Sequence, residues 1–382
     1  MSQLKIFFVM SSISWGGLEM NILKLACKLR EKGHTIIIAC NPEGRLFQQA
    51  KESFDVVEFG SEFKNDFKSV RKILKRDKFD VIHIFRSGDV NKMILSLFGN
   101  YHKSVLIFDP QIGVGVKKKD PFHKFIYQKL DAVIAISKDV ADGFIRNLPV
   151  KMEKVRVIHL GVDVEKFKFR KDGRERIRGE FNLGDDIVLG VVSRFSPGKG
   201  HEELFRAFKI LNQEFKNLKL LIVGEPTVGE IDYFSNLKNL EKELGIGEST
   251  IWTGFRKDVP DILSAIDIFV APSHAEAFGL SLVEAMAVGL PVVATKNAGF
   301  LDIIDDGVNG LFFERGNHID LAEKIEMLIK DKTLAKRLGE KASETAREKF
   351  SFEKYVNSVE NLYLELLKSK QTEARDVQHS KS

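Results

Sequence analysis

The sequence predicts an α/β protein of two doubly wound parallel sheets in tandem, facing each other across a cleft. Three observations predict it. Short apolar runs alternate with helix-period segments, the rhythm breaks near Gly161, and it restarts at Ile187. Such βαβα alternation argues for parallel strands covered by helices on both faces. A length of 382 residues fits two or three domains at roughly 150 residues each.

In the first half, strands are expected at Leu4–Met10, Thr35–Cys40, Val81–Phe85, Val105–Phe108, Ala132–Ser137 and Val155–Leu160. Each is nearly all apolar, as strands buried on both faces are. Between the first two, Leu18–Lys32 repeats Leu18, Ile22, Leu25, Ala26 and Leu29 at helical spacing. The charged stretch Gly161–Gly184 reads as a linker and first helix. Further strands follow at Ile187–Ser193, Leu218–Val223, Ile251–Gly254, Ile268–Ala271 and Val292–Thr295. Residues 317–369 are helical in pattern and end in a polar stretch. The expected layout is therefore a first domain over 1–168, a second over 169–351, a helix about 352–369 packing back on the first domain, and a disordered tail over 370–382.

Composition narrows the function. Hydrophobic residues make up 43%, ample for two cores, and no apolar run reaches the ~18 residues of a membrane span. The N-terminal segment through Met10 reads as a first strand rather than a signal peptide. Cys27 and Cys40 form neither a disulfide framework nor a metal cluster, so a cytoplasmic setting is expected. The net charge of +5 is uneven: residues 1–168 hold 29 Lys and Arg against 19 Asp and Glu, the remainder 30 against 35. The basic first half suits an anionic partner such as a membrane surface or charged acceptor, or else a set of solvated helix faces. No nucleic-acid-binding module accompanies the charge.

Three loops carry the chemistry. Ligands of doubly wound sheets bind beyond the carboxyl ends of the strands. Ser11–Gly17, after the first strand, offers Gly16 and Gly17 at a helix N-terminus, where a phosphate is the natural guest and a plain tight turn the other reading. Ser193–Gly200 places Arg194 and Lys199 above a strand end; a planar fork and a point charge suit a diphosphate. It is no Walker loop, because Ser193 replaces the first glycine and Gly200 the magnesium-binding Ser or Thr. Ala271–Gly299 sets Glu276 in a loop and Glu284 within the following helix. The first amides of that helix, from Phe278, Gly279 and Leu280, are free for a sugar hydroxyl or phosphate. Glu284 lies among Leu282, Val283, Ala285, Met286 and Ala287, and a lone acid in so apolar a helix needs a partner such as adjacent ribose hydroxyls. Glu276 and Ala277 border the same loop. Backbone groups of Gly254, Phe255 and Arg256 could frame a base, while Trp252 reads as core.

These residues resemble the retaining family-4 glycosyltransferases of the GT-B architecture, two Rossmann-like domains facing each other across a cleft. The resemblance spans nearly the whole chain. It rests on Gly16-Gly17-Leu18-Glu19, Val157–Phe167, the Arg194…Lys199-Gly200 loop, the Glu276-x7-Glu284 pair with its Ala-Met-Ala-Val-Gly-Leu-Pro sequel, and Gly307–Leu311. It implies a nucleoside-diphosphate sugar in the second domain, with Arg194 and Lys199 on the diphosphate, Glu284 on the ribose and Glu276 on the hexose. It also implies an acceptor in the first domain, Gly16 and Gly17 closing over the phosphates, no metal or other cofactor, and retention of anomeric configuration. The acceptor would be a glycan or glycolipid, as in cell-envelope polysaccharide or lipopolysaccharide synthesis. One departure stands out. Many relatives carry a histidine after the strand that here is Val105–Phe108, whereas this chain reads Asp109-Pro110-Gln111. Asp109 could take over a polar contact there, or the site is remodelled for another acceptor; His83, ending an earlier strand, reads equally as an active-site residue or as a satisfied buried histidine. Lys117-Lys118-Lys119 beside Phe122 and Phe125 suits peripheral contact with an anionic membrane on its inner face, or a mobile polar loop. The rival readings are a nucleotide-sugar epimerase of the same architecture and a non-catalytic sugar-nucleotide-binding partner subunit.

Overall fold

The computed structural model describes residues 3–60, 63–97, 104–226 and 229–379. The chain divides into two compact units, Met1–His159 with Tyr355–Ser382, and Leu160–Lys354.

The first unit is a seven-stranded sheet in the order β3-β2-β1-β4-β5-β6-β7. Its strands are β1 (Lys5–Met10), β2 (Thr35–Cys40), β3 (Asp55–Glu58), β4 (Val81–Ile84), β5 (Val105–Phe108), β6 (Ala132–Ala135) and β7 (Val155–Val157). Every pairing is parallel. The connecting helices are α1 (Gly17–Glu31), α2 (Arg45–Ala50), α3 (Phe63–Arg76), α4 (Ser87–Leu97), α5 (Pro121–Tyr127) and α6 (Lys138–Asn147). The central strands are buried along their whole length, as near-continuous apolar runs require when helices cover both faces. Strand β3 escapes the sequence reading because its Asp-Val-Val-Glu is only half buried at the sheet edge.

The second unit is a six-stranded parallel sheet, β10-β9-β8-β11-β12-β13. It comprises α7 (Lys171–Glu180), β8 (Ile187–Val192), α8 (His201–Glu214), β9 (Leu218–Val223), α9 (Ile231–Leu244), β10 (Thr250–Gly254), α10 (Val259–Ala265), β11 (Ile268–Ala271), α11 (Leu280–Val288), β12 (Val292–Thr295), β13 (Leu311–Phe313), α12 (His318–Lys330) and α13 (Lys332–Lys349). Its core packs Leu189, Val191, Leu220, Ile222 and Val270 of the sheet against Leu204, Phe208, Leu321 and Ile325 of the helices. The strand order reverses between β8 and β11, so the loops after these two diverge and leave a crevice at their carboxyl ends.

The unit boundary precedes the expected residue 168 because the linker is held to the second unit. Val162 N–H donates to Phe350 O at 2.8 Å, and a Cβ on Gly161 would meet the Ser351 carbonyl oxygen at 2.5 Å. The final helix, α14 (Phe352–His379), joins the first unit from Tyr355 onward. There Glu360 accepts from Lys32 and pairs with the His34 ring, each at 2.8 Å. The helix also corrects the expected tail: residues 370–379 continue α14, and residues 380–382 lie outside the described residues. At the start of 370–379, Lys370 reaches back to Asp131 at 2.7 Å and Ser104 O at 2.8 Å.

Candidate functional site

In the second unit, the crevice between β8 and β11 holds a cavity of about 170 Å³. It is lined by Ser193 and Lys199 from the loop after β8, Ser273 and Glu276 from the loop after β11, and Gly279, Leu280 and Ser281 at the start of α11. Lys199 Nζ lies 2.5 Å from Glu276 Oε1, and the two side chains keep 19% and 22% of their surface exposed. A cation and a carboxylate, 77 residues apart in sequence, thus meet at one point beside a helix N-terminus.

The two loops are fixed by close backbone approach. Gly200 has φ 72°, and a Cβ there would stand 2.0 Å from Pro272 O. His274 N–H donates to Gly198 O at 2.8 Å, tying one loop to the other, and its ring pairs with Glu203 at 2.8 Å. Gly279 has φ 109°, with the Phe300 ring where a side chain would go. Asn297 donates to Ser273 O at 2.7 Å. Under the first loop, Phe195 is buried, stacked on Phe234 and edge-on to Trp252. Trp252 donates its indole N–H to Glu241 at 2.7 Å, which agrees with its reading as core.

The amides at the start of α11 have no intrahelical acceptors and carry the positive end of the helix dipole. With Lys199 they give the cavity an anion-binding character, balanced by Glu276, which can accept from hydroxyls. Of the residues expected at the site, the cavity joins Lys199, Glu276, Gly279 and Leu280. Arg194 is exposed beside it, and among the described residues its guanidinium has no ion-pair partner. Glu284 is half buried on α11 and does not line the cavity; Ala277 is likewise half buried. Phe278 is buried with its ring edge-on to Phe350 and does not line the cavity. Gly254 and Phe255 are exposed after β10 at the sheet edge. The Arg256 guanidinium is held by Glu180 and Asp258, whose carboxylates keep it charged, so its side chain is not free for a base.

Gly16 and Gly17 lie in the first unit. Gly16 caps α1 with an extended backbone, its N–H bonded to Glu19 at 2.9 Å. A Cβ on Gly17 would meet nothing within 4 Å, so the unit's own packing does not demand glycine there. Sequence reading missed the neighbouring Ser11-Asp89-Arg86 cluster beyond β1 and β4. Ser11 donates its N–H at 2.8 Å and its hydroxyl at 2.5 Å to buried Asp89 and receives Arg86 at 3.1 Å. In the second unit it gave no role to Ser193, His201 or His274, which stand at a strand end, at the first residue of α8 and in the loop after β11.

For His83 the structure takes the buried of the two readings, and it places Asp109 in the interior beside it rather than on an open active-site surface. Both are fully buried in the first unit, with His83 Nδ1 2.6 Å from Tyr363 Oη and Nε2 3.5 Å from Asp109. Gln111, at φ 53°, donates toward Asp109 at 3.3 Å and Tyr355 at 3.2 Å and accepts from Asn21 at 2.8 Å. Both tyrosines come from α14. Burial and the nearby Asp109 charge push their hydroxyls well above the ordinary range, so they stay protonated. As placed, His83 and Asp109 brace the last helix and offer no surface to a substrate.

Comparison with known proteins agrees with this fold. A family model described as glycosyl transferases group 1 matches residues 173–345, and one described as glycosyltransferase family 4 matches residues 15–166. An uncharacterized glycosyltransferase of Methanocaldococcus jannaschii is 32% identical over 79% of this chain and 80% of its own. The capsular polysaccharide biosynthesis glycosyltransferase CapM of Staphylococcus aureus is 30% identical over 62% of either chain. Among solved structures, Anabaena HepE in complex with UDP superposes with a TM-score of 0.82 at 23% identity, over 94% of this chain and 99% of that one. Among the described residues, no helix is long and apolar enough to cross a membrane.

Proposed function

This chain belongs to the group 1 and family 4 glycosyltransferases, and from that premise we propose that it moves a hexose from a nucleoside-diphosphate sugar to a glycan or glycolipid acceptor, with retention and without a divalent metal. The observation that carries the reading is the meeting of Lys199, Glu276 and the α11 N-terminus around one cavity at the β8/β11 switch. A diphosphate suits this place. Lys199 has three N–H donors and spends one on Glu276, leaving two for phosphoryl oxygens. Arg194, exposed on the same loop, adds a fork. Glu284, inside α11, is assigned to the ribose and Glu276 to hexose hydroxyls, with the backbone of Gly254, Phe255 and Arg256 toward the base.

In the reaction, the bond from C1 of the hexose to the diphosphate oxygen breaks and its electron pair leaves with the nucleoside diphosphate. Charge grows on that oxygen, and fixed cations and amides stabilise it more in the transition state than in the ground state. The acceptor hydroxyl attacks C1 on the face the diphosphate leaves, and its proton passes to a phosphate oxygen. Arg194 and Lys199 supply the positive charge that a metal would otherwise bring. The first unit is assigned to the acceptor. On it, Ile112, Val116, Phe122 and Phe125 are exposed near Lys117 and Lys119, a combination suited to an anionic membrane that carries a glycolipid. The name of the capsular relative makes envelope polysaccharide a fitting product class.

The test is a panel of nucleotide sugars, first by thermal shift and then by release of nucleoside diphosphate in EDTA. The reading requires one donor to stabilise the protein and to be cleaved at full rate with chelator, the product keeping the donor's anomeric configuration by NMR. Cleavage that stops in EDTA and returns with magnesium would overturn the metal-free mechanism, and stabilisation by no donor would overturn the function.

A further inference from the structure

Ser193 and His201 form a pair at the cavity that the cations do not explain. Ser193 lines the cavity, and its Oγ lies 3.0 Å from His201 Nε2. His201 opens α8 and is fully buried. The Ser193 backbone is fixed at the strand end. Ser193 N–H donates to Val223 O at 3.0 Å, and Gly224, at φ 142°, passes so close that a Cβ there would stand 1.9 Å from Ser193 O. The imidazole sits edge-on to Phe195 at 5.4 Å.

The direction of the hydrogen bond follows from the surroundings. Burial and the adjacent Lys199 charge lower the His201 pKa to about 4, so the ring is neutral at working pH and carries one N–H. Its Nδ1 is buried and has no hydrogen-bond partner among the described residues. A proton there would be an orphaned buried N–H, the rarer kind of unsatisfied group. Placed on Nε2, the proton is donated to Ser193 Oγ. The serine oxygen is then an acceptor on the histidine side, and its own O–H is free to point into the cavity beside Lys199.

We propose that the Ser193 hydroxyl donates to a phosphoryl oxygen of the bound nucleoside diphosphate, and that His201 is the positioning residue that orients it. The proposal rests on the donor reading above and adds to it a neutral donor whose direction is set from inside the domain.

The test is calorimetric titration of the full chain with UDP, GDP and ADP, carrying forward whichever binds the wild type most tightly. Ser193→Ala should weaken binding about tenfold, the scale of a hydrogen bond to a charged group. His201→Leu should lose as much. His201→Gln, whose amide N–H can take the place of Nε2–H, should keep affinity within about threefold. In the Ser193→Ala background, His201→Leu should cost nothing more, because the histidine acts only through the serine. Wild-type affinity in Ser193→Ala, or a full second loss in the double variant, would overturn this inference and leave the donor reading intact. Failure of the wild type to bind any of the three would overturn both.

Discussion

Replacing Lys199 by alanine should separate catalysis from stability, because the role proposed for it and its observed ion pair carry very different magnitudes. The ammonium lies 2.5 Å from Glu276, but both side chains keep about a fifth of their surface exposed. Solvent screens such a pair, and its loss should cost the fold about 0.2–1 kcal/mol. For a unit of this size that is a fall in melting temperature of no more than about 4 °C. The chemical step is another matter. Lys199 is the cation assigned to the leaving diphosphate, and removing one preorganised donor from growing negative charge typically costs about 2.7–4 kcal/mol, or about 10²–10³ in kcat. The assay is release of nucleoside diphosphate from the donor that most stabilises the wild type, run beside a thermal melt. Turnover within about threefold of wild type, or a melting temperature lowered by more than about 8 °C with a loss of activity that merely follows unfolding, would refute the reasoning.

Further outcomes are expected from the same structure. Glu284→Ala should weaken donor binding through the ribose by about 10-fold in calorimetry; equal affinity would count against the assignment. Tyr363→Phe should leave the His83 ring without its 2.6 Å partner and lower unfolding stability by about 1–3 kcal/mol in urea, with kcat of the folded enzyme unchanged. His201 gives a pH signature. Its folded pKa of about 4 lies below the ordinary 6.5, so the unfolded chain binds the proton first. Its contribution to stability is therefore complete above about pH 6.5 and is lost as pH falls toward 4, at up to about 1.4 kcal/mol per pH unit. Urea midpoints of wild type and His201→Gln should diverge at neutral pH and converge across that window; a constant gap would contradict a neutral buried ring.

Most of both sheets was legible because doubly covered strands are continuous apolar runs. Thr35–Cys40, Val105–Phe108, Leu218–Val223, Ile268–Ala271 and Val292–Thr295 carry the same bounds in sequence and structure. Strands β3 and β13 were not, since four residues with two of them exposed, and three residues, give too little pattern at a sheet edge. At the site, Lys199 and Glu276 were marked by their place in loops that follow strands; Glu284, a lone acid among apolar neighbours on α11, does not line the cavity. What the sequence could not show was coverage. His83 and Asp109 end strands like active-site residues, yet Tyr355 and Tyr363, some 250 residues downstream in α14, close over them. Nor does a sequence reveal that Arg256 is already held by Glu180 and Asp258, or that a serine at a strand end faces a buried histidine.

The central claim is tested most directly by a crystal structure of the protein with its preferred nucleoside diphosphate. Phosphoryl oxygens should lie within hydrogen-bond distance of Lys199 Nζ and the first amides of α11, with Arg194 turned toward them. A diphosphate bound anywhere else, with the β8/β11 crevice left to solvent, would contradict it.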